Sequence, residues 1–347
     1  MHEPDVLIIT TGHDLQDGRL VRHQQSLLRS GIRVQLHKVQ SRSRFSRFLW
    51  TPLIAYRYIK RSSANCVILP DPELQLFLPP VIYRKLAVIS DVHEDYGKVL
   101  FDRTWIRRSM VPFIKIIAKV LRKVRDRWSH VVVAVDTSVA FDKYLIVSNL
   151  PDPNDLPQPP DVPGVQRLVY VGDIRESRGL SAMLRLVHSS PEVGLDLVGP
   201  CANEEDLYRL IEEFELNQRV EWHGRCSYKR SWEIASHCLA GLSLLSPTPS
   251  FLEAVPTKIW EYWAVGLPVL ATDIPGQSKV IHDAKGGVVG GHAELLKNLD
   301  IWVDSPKEAQ KIGSLGREYF LKTKMGEEDK ISDAVEDAIS KYMVKIL

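Results

Sequence analysis

Short apolar runs separated by stretches of helical spacing set the rhythm of this chain. Val6-Leu-Ile-Ile9 comes first, followed by a loop through Gly12, a helical stretch over 20–30, Gly31 and a second apolar run over 34–39. That order predicts a β-α-β opening. Further runs at 66–69, 86–89 and 130–135 are bounded by polar or proline-containing loops, as the strands of a parallel sheet buried on both faces are. A cluster of prolines from Pro151 to Pro163 then interrupts any central strand or helix, because proline lacks an N–H and fixes φ. Beyond it a second series predicts strands at 167–171, 194–198, 219–223, 240–245 and 269–271, with helices from Gly179, over 204–215, over 228–237 and near 256–265. Ile331, Ala334, Ala338, Tyr342 and Ile346 keep helical spacing through a final stretch from about 327 to 346. The chain thus divides into 1–150, a linker at 151–164, a second domain at 165–325 and a terminal segment at 326–347. Both domains read as α/β and Rossmann-like.

Composition adds mainly exclusions. A chain of 347 residues, 44% hydrophobic and 25% charged, is long enough for two cores and is neither disordered nor fibrous. The first residues, Met-His-Glu-Pro-Asp, run straight into the first apolar stretch without a basic region or a long apolar core, so neither a signal peptide nor a membrane span is predicted and the expected location is the cytoplasm. Cys66, Cys201, Cys226 and Cys238 show no short repeated spacing, which argues against a zinc site or a disulfide scaffold and for buried thiols. Charge changes the picture more. Residues 1–150 hold 24 Lys and Arg against 13 Asp and Glu, whereas 151–347 hold 21 against 30, so the halves carry +11 and −9. Such polarity predicts a basic surface that meets an anionic partner.

The most informative stretch is Ser250-Phe-Leu-Glu253-Ala-Val-Pro256-Thr-Lys258-Ile-Trp-Glu261-Tyr-Trp-Ala-Val-Gly266-Leu-Pro268-Val-Leu-Ala-Thr-Asp273. Pro256 suits a first helical position, and Gly266 with Pro268 suits the stop. The N-terminus of such a helix offers N–H groups and partial positive charge to a diphosphate, to which Lys258 adds a full charge. Glu261 falls about 7 to 8 Å further along the axis, within reach of ribose hydroxyls. Glu253, in the loop before the helix, falls on the side of a transferred sugar.

The run from Glu253 through Pro268 resembles the donor site of retaining family-4 glycosyltransferases of the GT-B fold: two Rossmann-like domains facing a cleft, with a C-terminal helix crossing back to the first. Other loops carry the same resemblance. Val171-Gly172-Asp173-Ile-Arg175-Glu-Ser-Arg178-Gly179 resembles the family's phosphate loop, with Arg178 in the place of a lysine and Asp173 where many members have arginine; that departure removes one phosphate contact and leaves Lys258 to compensate. Asp91-Val-His93-Glu94 resembles a stretch of bacterial polysaccharide enzymes in which the histidine supports the donor sugar, with Asp91 or Glu94 orienting it. Thr11-Gly12-His13 through Arg22 resembles the opening loop, where Gly12 lets the backbone approach the donor, although Asp17 reads better as a helix cap. Asn149-Leu-Pro151 resembles the end of the first domain, and Trp222-His-Gly224-Arg225-Cys226 a base-binding turn. The resemblance implies transfer with retention from a nucleoside-diphosphate sugar, UDP before GDP, to a glycan or a polyprenyl-diphosphate-linked acceptor in bacterial surface polysaccharide or glycoconjugate synthesis. It implies no cofactor beyond the donor and no metal. Catalysis would rest on His93, Glu253, Arg178 and Lys258, and donor binding on Gly12, Gly172, Gly224, Arg225 and Glu261 besides.

Two segments, 42–61 and 105–127, mix cations with aromatic and aliphatic residues, the composition of an interfacial contact with an anionic membrane. In the competing reading their apolar members, Ile114, Ile117, Ala118 and Leu121 among them, fill the first domain's own core. Nucleic acid is not expected, since no motif for it accompanies the charge. A dinucleotide oxidoreductase is disfavoured because no Gly-x-Gly-x-x-Gly follows the first strand; a catalytically silent GT-B module stays open through Asp173.

Overall fold

In the computed structural model the described residues are 4–15, 17–40, 50–93, 111–136, 139–141, 143–161, 164–248, 251–327 and 329–346. Glu94, Ser250, the stretch 42–49 and the stretch 105–110 lie outside them, as does the side chain of Ile114. The chain forms two units, residues 1–149 with 326–347 and residues 150–325.

The first unit is built on six parallel strands, β1 (Val6–Thr10), β2 (Val34–Lys38), β3 (Cys66–Leu69), β4 (Ala87–Val92), β5 (Val131–Ala134) and β6 (Leu145–Ile146), in the order β2-β1-β3-β4-β5-β6. Successive side chains of a strand point to opposite faces, and both faces are covered. Val6 and Ile8 pack with Leu20 and Leu27 of α1 (Gly18–Arg29) and with Ile331, Ala334, Val335 and Ala338 of the C-terminal helix α12 (Lys330–Ile346). Leu7 and Ile9 pack on the other side with Ala55 and Ile59 of α2 (Thr51–Arg61) and Leu74 of α3 (Pro72–Phe77). The basic stretch after Thr51 is therefore an amphipathic helix, and α4 (Val111–Trp128) is another. Leu121 of α4 is buried and Ala118 half-buried, as the core-filling reading requires, but Ile117 is exposed.

The second unit repeats the plan with β7 (Val165–Val171), β8 (Gly194–Val198), β9 (Val220–Trp222), β10 (Cys238–Ser243), β11 (Val269–Ala271) and β12 (Gly287–Val289), ordered β12-β11-β10-β7-β8-β9 and all parallel. One face carries α5 (Leu180–Ser189), α6 (Glu204–Glu213) and α10 (His292–Asp304) around Leu168 and Tyr170. The other carries α7 (Tyr228–Ser236), α8 (Thr257–Ala264), α9 (Pro275–Ala284) and α11 (Pro306–Met325) around Val169, Trp232, Trp263 and Phe320. Strand β10 begins two residues earlier than its apolar pattern indicates, because pairing with β7 starts at Cys238 opposite Val165; Leu244 and Leu245 are buried in the turn that follows. Pro256 is the N-cap of α8 rather than its first helical residue, with ψ 130°, and Gly266 ends the helix with φ +81°. The proline-rich stretch belongs to this unit. Leu150 and Leu156 enter its core, Gln310 Nε2 donates to the Pro160 carbonyl at 3.3 Å, and Arg317 Nη2 donates to Gln158 Oε1 at 3.0 Å. Among the described residues no helix is long and apolar enough to cross a membrane. Cys66 and Cys238 are buried, Cys201 and Cys226 half-buried, and all four are free thiols.

Candidate functional site

In a parallel sheet that winds both ways from its first strand, the loops diverge where the order reverses, and ligands settle beyond the strand ends there. In the second unit that point lies between β7 and β10. Tyr262 of α8 ties it together: its hydroxyl accepts from Val171 N at 3.1 Å and donates toward Val169 O at 3.2 Å. Helix α8 accordingly starts at the carboxyl end of the sheet, and no side chain caps its N-terminus.

Lys258, in the first turn of α8, places Nζ 3.6 Å from the centroid of the Tyr170 ring, and a Cβ on Gly172 would lie 3.1 Å from it. Arg178 stacks its guanidinium over Phe251 at 4.6 Å. The two cations feel each other. Burial first, and then Arg178, pull the Lys258 amine well below its usual range, while Glu261 and Asp173 oppose the fall. Each positive charge thus rests on an aromatic face, an attraction that partly offsets their repulsion, and a dianion between them would be the stronger remedy. Glu261 stands one turn along α8, 8% exposed, and its Oε1 accepts from the Tyr228 hydroxyl at 3.0 Å.

Gly172, Gly199 and Gly224 end the three strands β7, β8 and β9. Gly199 N donates to Gly224 O and Gly172 N to Val198 O, each at 2.8 Å. Gly199 has φ +141°, and a Cβ on it would lie 2.0 Å from the Gly172 carbonyl oxygen. Only glycine lets these turns touch. Arg225, next to Gly224, is exposed. Glu253 is exposed too, on a loop whose Leu252 carbonyl accepts from Gly276 N at 2.9 Å. Asp173 does not aim at Lys258 alone: its carboxylate pairs with Arg175 Nε at 3.2 Å. The structure therefore gathers Gly172, Arg178, Lys258 and Glu261, and sets Gly224, Arg225 and Glu253 on adjoining loops. Tyr170, Phe251 and Tyr228 are additions. Strand alternation would have found Tyr170, since residues 170 and 172 point the same way.

The first unit holds a second constellation at the carboxyl ends of β1, β3 and β4. Asp91, fully buried, accepts from Arg19 Nη2 at 2.6 Å and Nε at 3.0 Å, and meets His23 Nε2 at 3.0 Å and His93 Nε2 at 2.7 Å. Burial resists its ionisation, but Arg19, His93 and His23 outweigh that and hold the carboxyl well below the usual carboxylate range. Being an ionised acceptor, Asp91 requires a proton on His93 Nε2, which leaves Nδ1 to accept in the neutral ring. Burial and then Arg19 push the His23 imidazole down. His13 lies beside His93, ring centroids 4.9 Å apart, between Asp17 at 3.1 Å and Asp71 at 3.6 Å. Its hydrogen bond to Asp17 raises its pKa against burial, and Asp17 falls to about 2, the His13 contact outweighing desolvation. Asp17 also caps α1, accepting from Arg19 N at 3.0 Å. Gly12 is exposed at the end of β1. Arg22 Nη1 donates to Asn149 Oδ1 at 2.7 Å, closing the unit at the end of its chain segment. The opening-loop resemblance includes His13 and Arg19, the latter in the Asp17-x-Arg19 pair that starts the first helix, but not their partners; His23 and Asp71 carry no signal in the sequence, because the contacts that assemble the group span up to 72 residues.

Residues 155–319 match the family model described as glycosyl transferases group 1, a segment that contains Gly172, Arg178, Gly224, Arg225, Glu253, Lys258 and Glu261. A putative glycosyltransferase, EpsD of Bacillus subtilis (strain 168), is 25% identical over 183 residues, covering 51% of this chain and 45% of that protein. The match thus spans about half the length of that relative. Among solved structures, sucrose-phosphate synthase (tll1590) of Thermosynechococcus elongatus superposes with a TM-score of 0.75 at 12% identity, covering 98% of this chain and all of that one. Anabaena Alr3699/HepE, solved with UDP and glucose, gives 0.73 at 12% identity over 96% of this chain and 100% of its own. WaaG, a glycosyltransferase involved in lipopolysaccharide biosynthesis, gives 0.66 at 13% identity over 95% and 98%. The chain has the GT-B fold, two Rossmann-like units with a C-terminal helix that returns to the first.

Proposed function

We propose that this protein is a retaining glycosyltransferase of the family-4 type that moves a sugar from a nucleoside diphosphate, UDP before GDP, to a hydroxyl of a glycan or lipid-linked acceptor. The observation that carries the reading is the pair Arg178 and Lys258, two cations held over aromatic rings at the N-terminus of α8 with Glu261 one turn further on. A diphosphate neutralises both cations, and Glu261, fixed by Tyr228, takes the ribose hydroxyls. The family model over the same residues supports it, and so does a neighbour of the same fold solved with UDP-glucose.

In this reading departure of the diphosphate is helped by Arg178, Lys258 and the N–H groups of α8, which stabilise charge where it develops. Glu253 and the Gly172 turn hold the sugar and the phosphates, and Gly224 with Arg225 lines the base. His93 and Gly12 are the first unit's proposed contributors to donor binding, His93 by a hydrogen bond to the sugar and Gly12 by close backbone approach. The leaving phosphate takes the proton of the acceptor hydroxyl on the same face, so no carboxylate nucleophile is needed, and the basic groups take the part a metal plays elsewhere. The acceptor belongs to surface polysaccharide or glycoconjugate synthesis, on the inner face of the plasma membrane. One observation favours a silent sugar-nucleotide-binding module instead: Asp173 stands in the phosphate loop and engages Arg175.

A screen of UDP, GDP, ADP and their sugars by calorimetry, on the wild type and Glu261→Ala, tests the donor site. Binding of one nucleotide that the variant loses supports it, whereas no binding by any sinks it. Donor turnover in the wild type that vanishes in Glu253→Ala separates an enzyme from a silent module, and the anomeric configuration of the product, read by NMR, tests retention.

A further inference from the structure

Helices α2, α3 and α4 lie side by side on one face of the first sheet, α2 against α3 and α3 against α4. Their inner sides are spent on the core through Ala55, Ile59, Leu74 and Leu121. Their outer sides are apolar as well. Trp50 and Ile54 at the start of α2 are 63% and 47% exposed, Phe77 at the end of α3 51%, and Phe113 and Ile116 on α4 62% and 59%. On α4, residues 113, 116, 117 and 120 follow the spacing i, i+3, i+4, i+7, so the exposed apolar side chains form one stripe. Soluble proteins rarely leave large apolar groups on neighbouring elements uncovered without a partner.

The charges beside these groups say which partner. Lys119, Lys123 and Arg127, four residues apart and all exposed, run along one edge of the α4 stripe. Arg57, Lys60 and Arg61 are exposed at the end of α2, a helix with no acidic residue, and Asp126 is the only acid in α4. A second copy of the same face would bring like charges together. A surface with apolar side chains among cations matches a bilayer, whose acyl boundary takes the first and whose anionic headgroups take the second. We infer that the outer face of α2, α3 and α4 docks the first unit onto an anionic lipid surface, Trp50, Phe113 and Ile116 entering the headgroup region. This deepens the proposed use of a lipid-linked acceptor, but lipid binding can be read without any sugar.

The experiment is co-sedimentation of the full chain with vesicles of phosphatidylcholine alone or mixed with phosphatidylglycerol. The wild type should bind the mixed vesicles, weakly or not at all the neutral ones, and less as salt rises. Lys119→Gln, Lys123→Gln and Arg127→Gln together should lower partitioning roughly 100-fold, at about a fivefold loss per cation. Phe113→Ser with Ile116→Ser should abolish it while unfolding like the wild type and keeping UDP binding, which distinguishes a failure here from a failure of the donor-site reading. Absence of binding to the mixed vesicles, equal binding by the variants, or a wild-type dimer that Phe113→Ser with Ile116→Ser dissociates would overturn the inference.

Discussion

At Lys258, packing and charge set the sign of a measurable coupling. Its amine is pulled down by burial and by Arg178, so it holds its proton less firmly than it would beside a diphosphate. A bound diphosphate should raise the Lys258 pKa again, so that between the lowered and the restored pKa binding takes up a proton and affinity falls as pH rises. Calorimetry in buffers of different ionisation enthalpy reads that uptake, which Lys258→Met should abolish. Asp91 and His93 separate architecture from chemistry in the same manner. Removing Asp91 strands Arg19, only 3% exposed, as an uncompensated buried charge, so Asp91→Ala should cost about 3–5 kcal/mol in urea unfolding. His93→Ala leaves Asp91 its Arg19 and His23 partners and should cost less, about 1–3 kcal/mol, and under the proposed donor role it should lower turnover at least tenfold at pH values where the variant stays folded.

At the scale of elements, close backbone approach decides where the helices of the second unit can sit. Gly313 of α11 faces the turn that ends α8, and a Cβ there would come within 1.9 Å of the Gly266 carbonyl oxygen. Helix propensity alone favours alanine over glycine by about 1 kcal/mol. Overlap with a backbone atom wins. Gly313→Ala should lower stability by about 2–3 kcal/mol, against the roughly 1 kcal/mol gain that propensity offers, and a thermal melt distinguishes the two signs. Trp263 shows the same economy of space, its Nε1 donating to Gly286 O at 2.8 Å while a Cβ on Gly316 would strike its ring at 2.3 Å. Because α8 carries both Lys258 and Glu261, anything that shifts α11 also displaces the candidate donor site.

For the whole molecule, the return of the chain to its first unit makes the C-terminus a structural part of the N-terminal half. Ile331, Ala334, Val335 and Ala338 are buried among β-strand side chains, and Glu327 Oε2 accepts from Ser148 N at 2.9 Å. Deleting residues 326–347 exposes that face of the first sheet, so the truncated chain should lose the structure of its first unit while residues 150–325 stay folded. Limited proteolysis with mass spectrometry would show a protected fragment of the second unit only. The charge contrast between the halves, +11 against −9, has a place in this arrangement, since many of the exposed cations lie on α2 and α4 of the first unit.

The strands were legible in the sequence because a parallel strand buried on both faces needs a near-continuous apolar run, and 6–9, Cys66–Leu69 and Val131–Ala134 are such runs. The start and stop of α8 were legible through Pro256 and Gly266, whose backbone preferences act locally. Helices that pack by one narrow stripe among many charges, such as α4, were less so, because spacing alone does not say which stripe meets the core. Strand order was not legible at all. It is strand order that carries Asp91 to Arg19 and His23, and Tyr170 and Phe251 beneath Lys258 and Arg178. Sequence fixes which residues are charged, apolar or free to turn, since those are properties of single side chains and their near neighbours. Which of them share a buried pair or an aromatic platform depends on contacts tens of residues apart, and only the folded sheet brings those together.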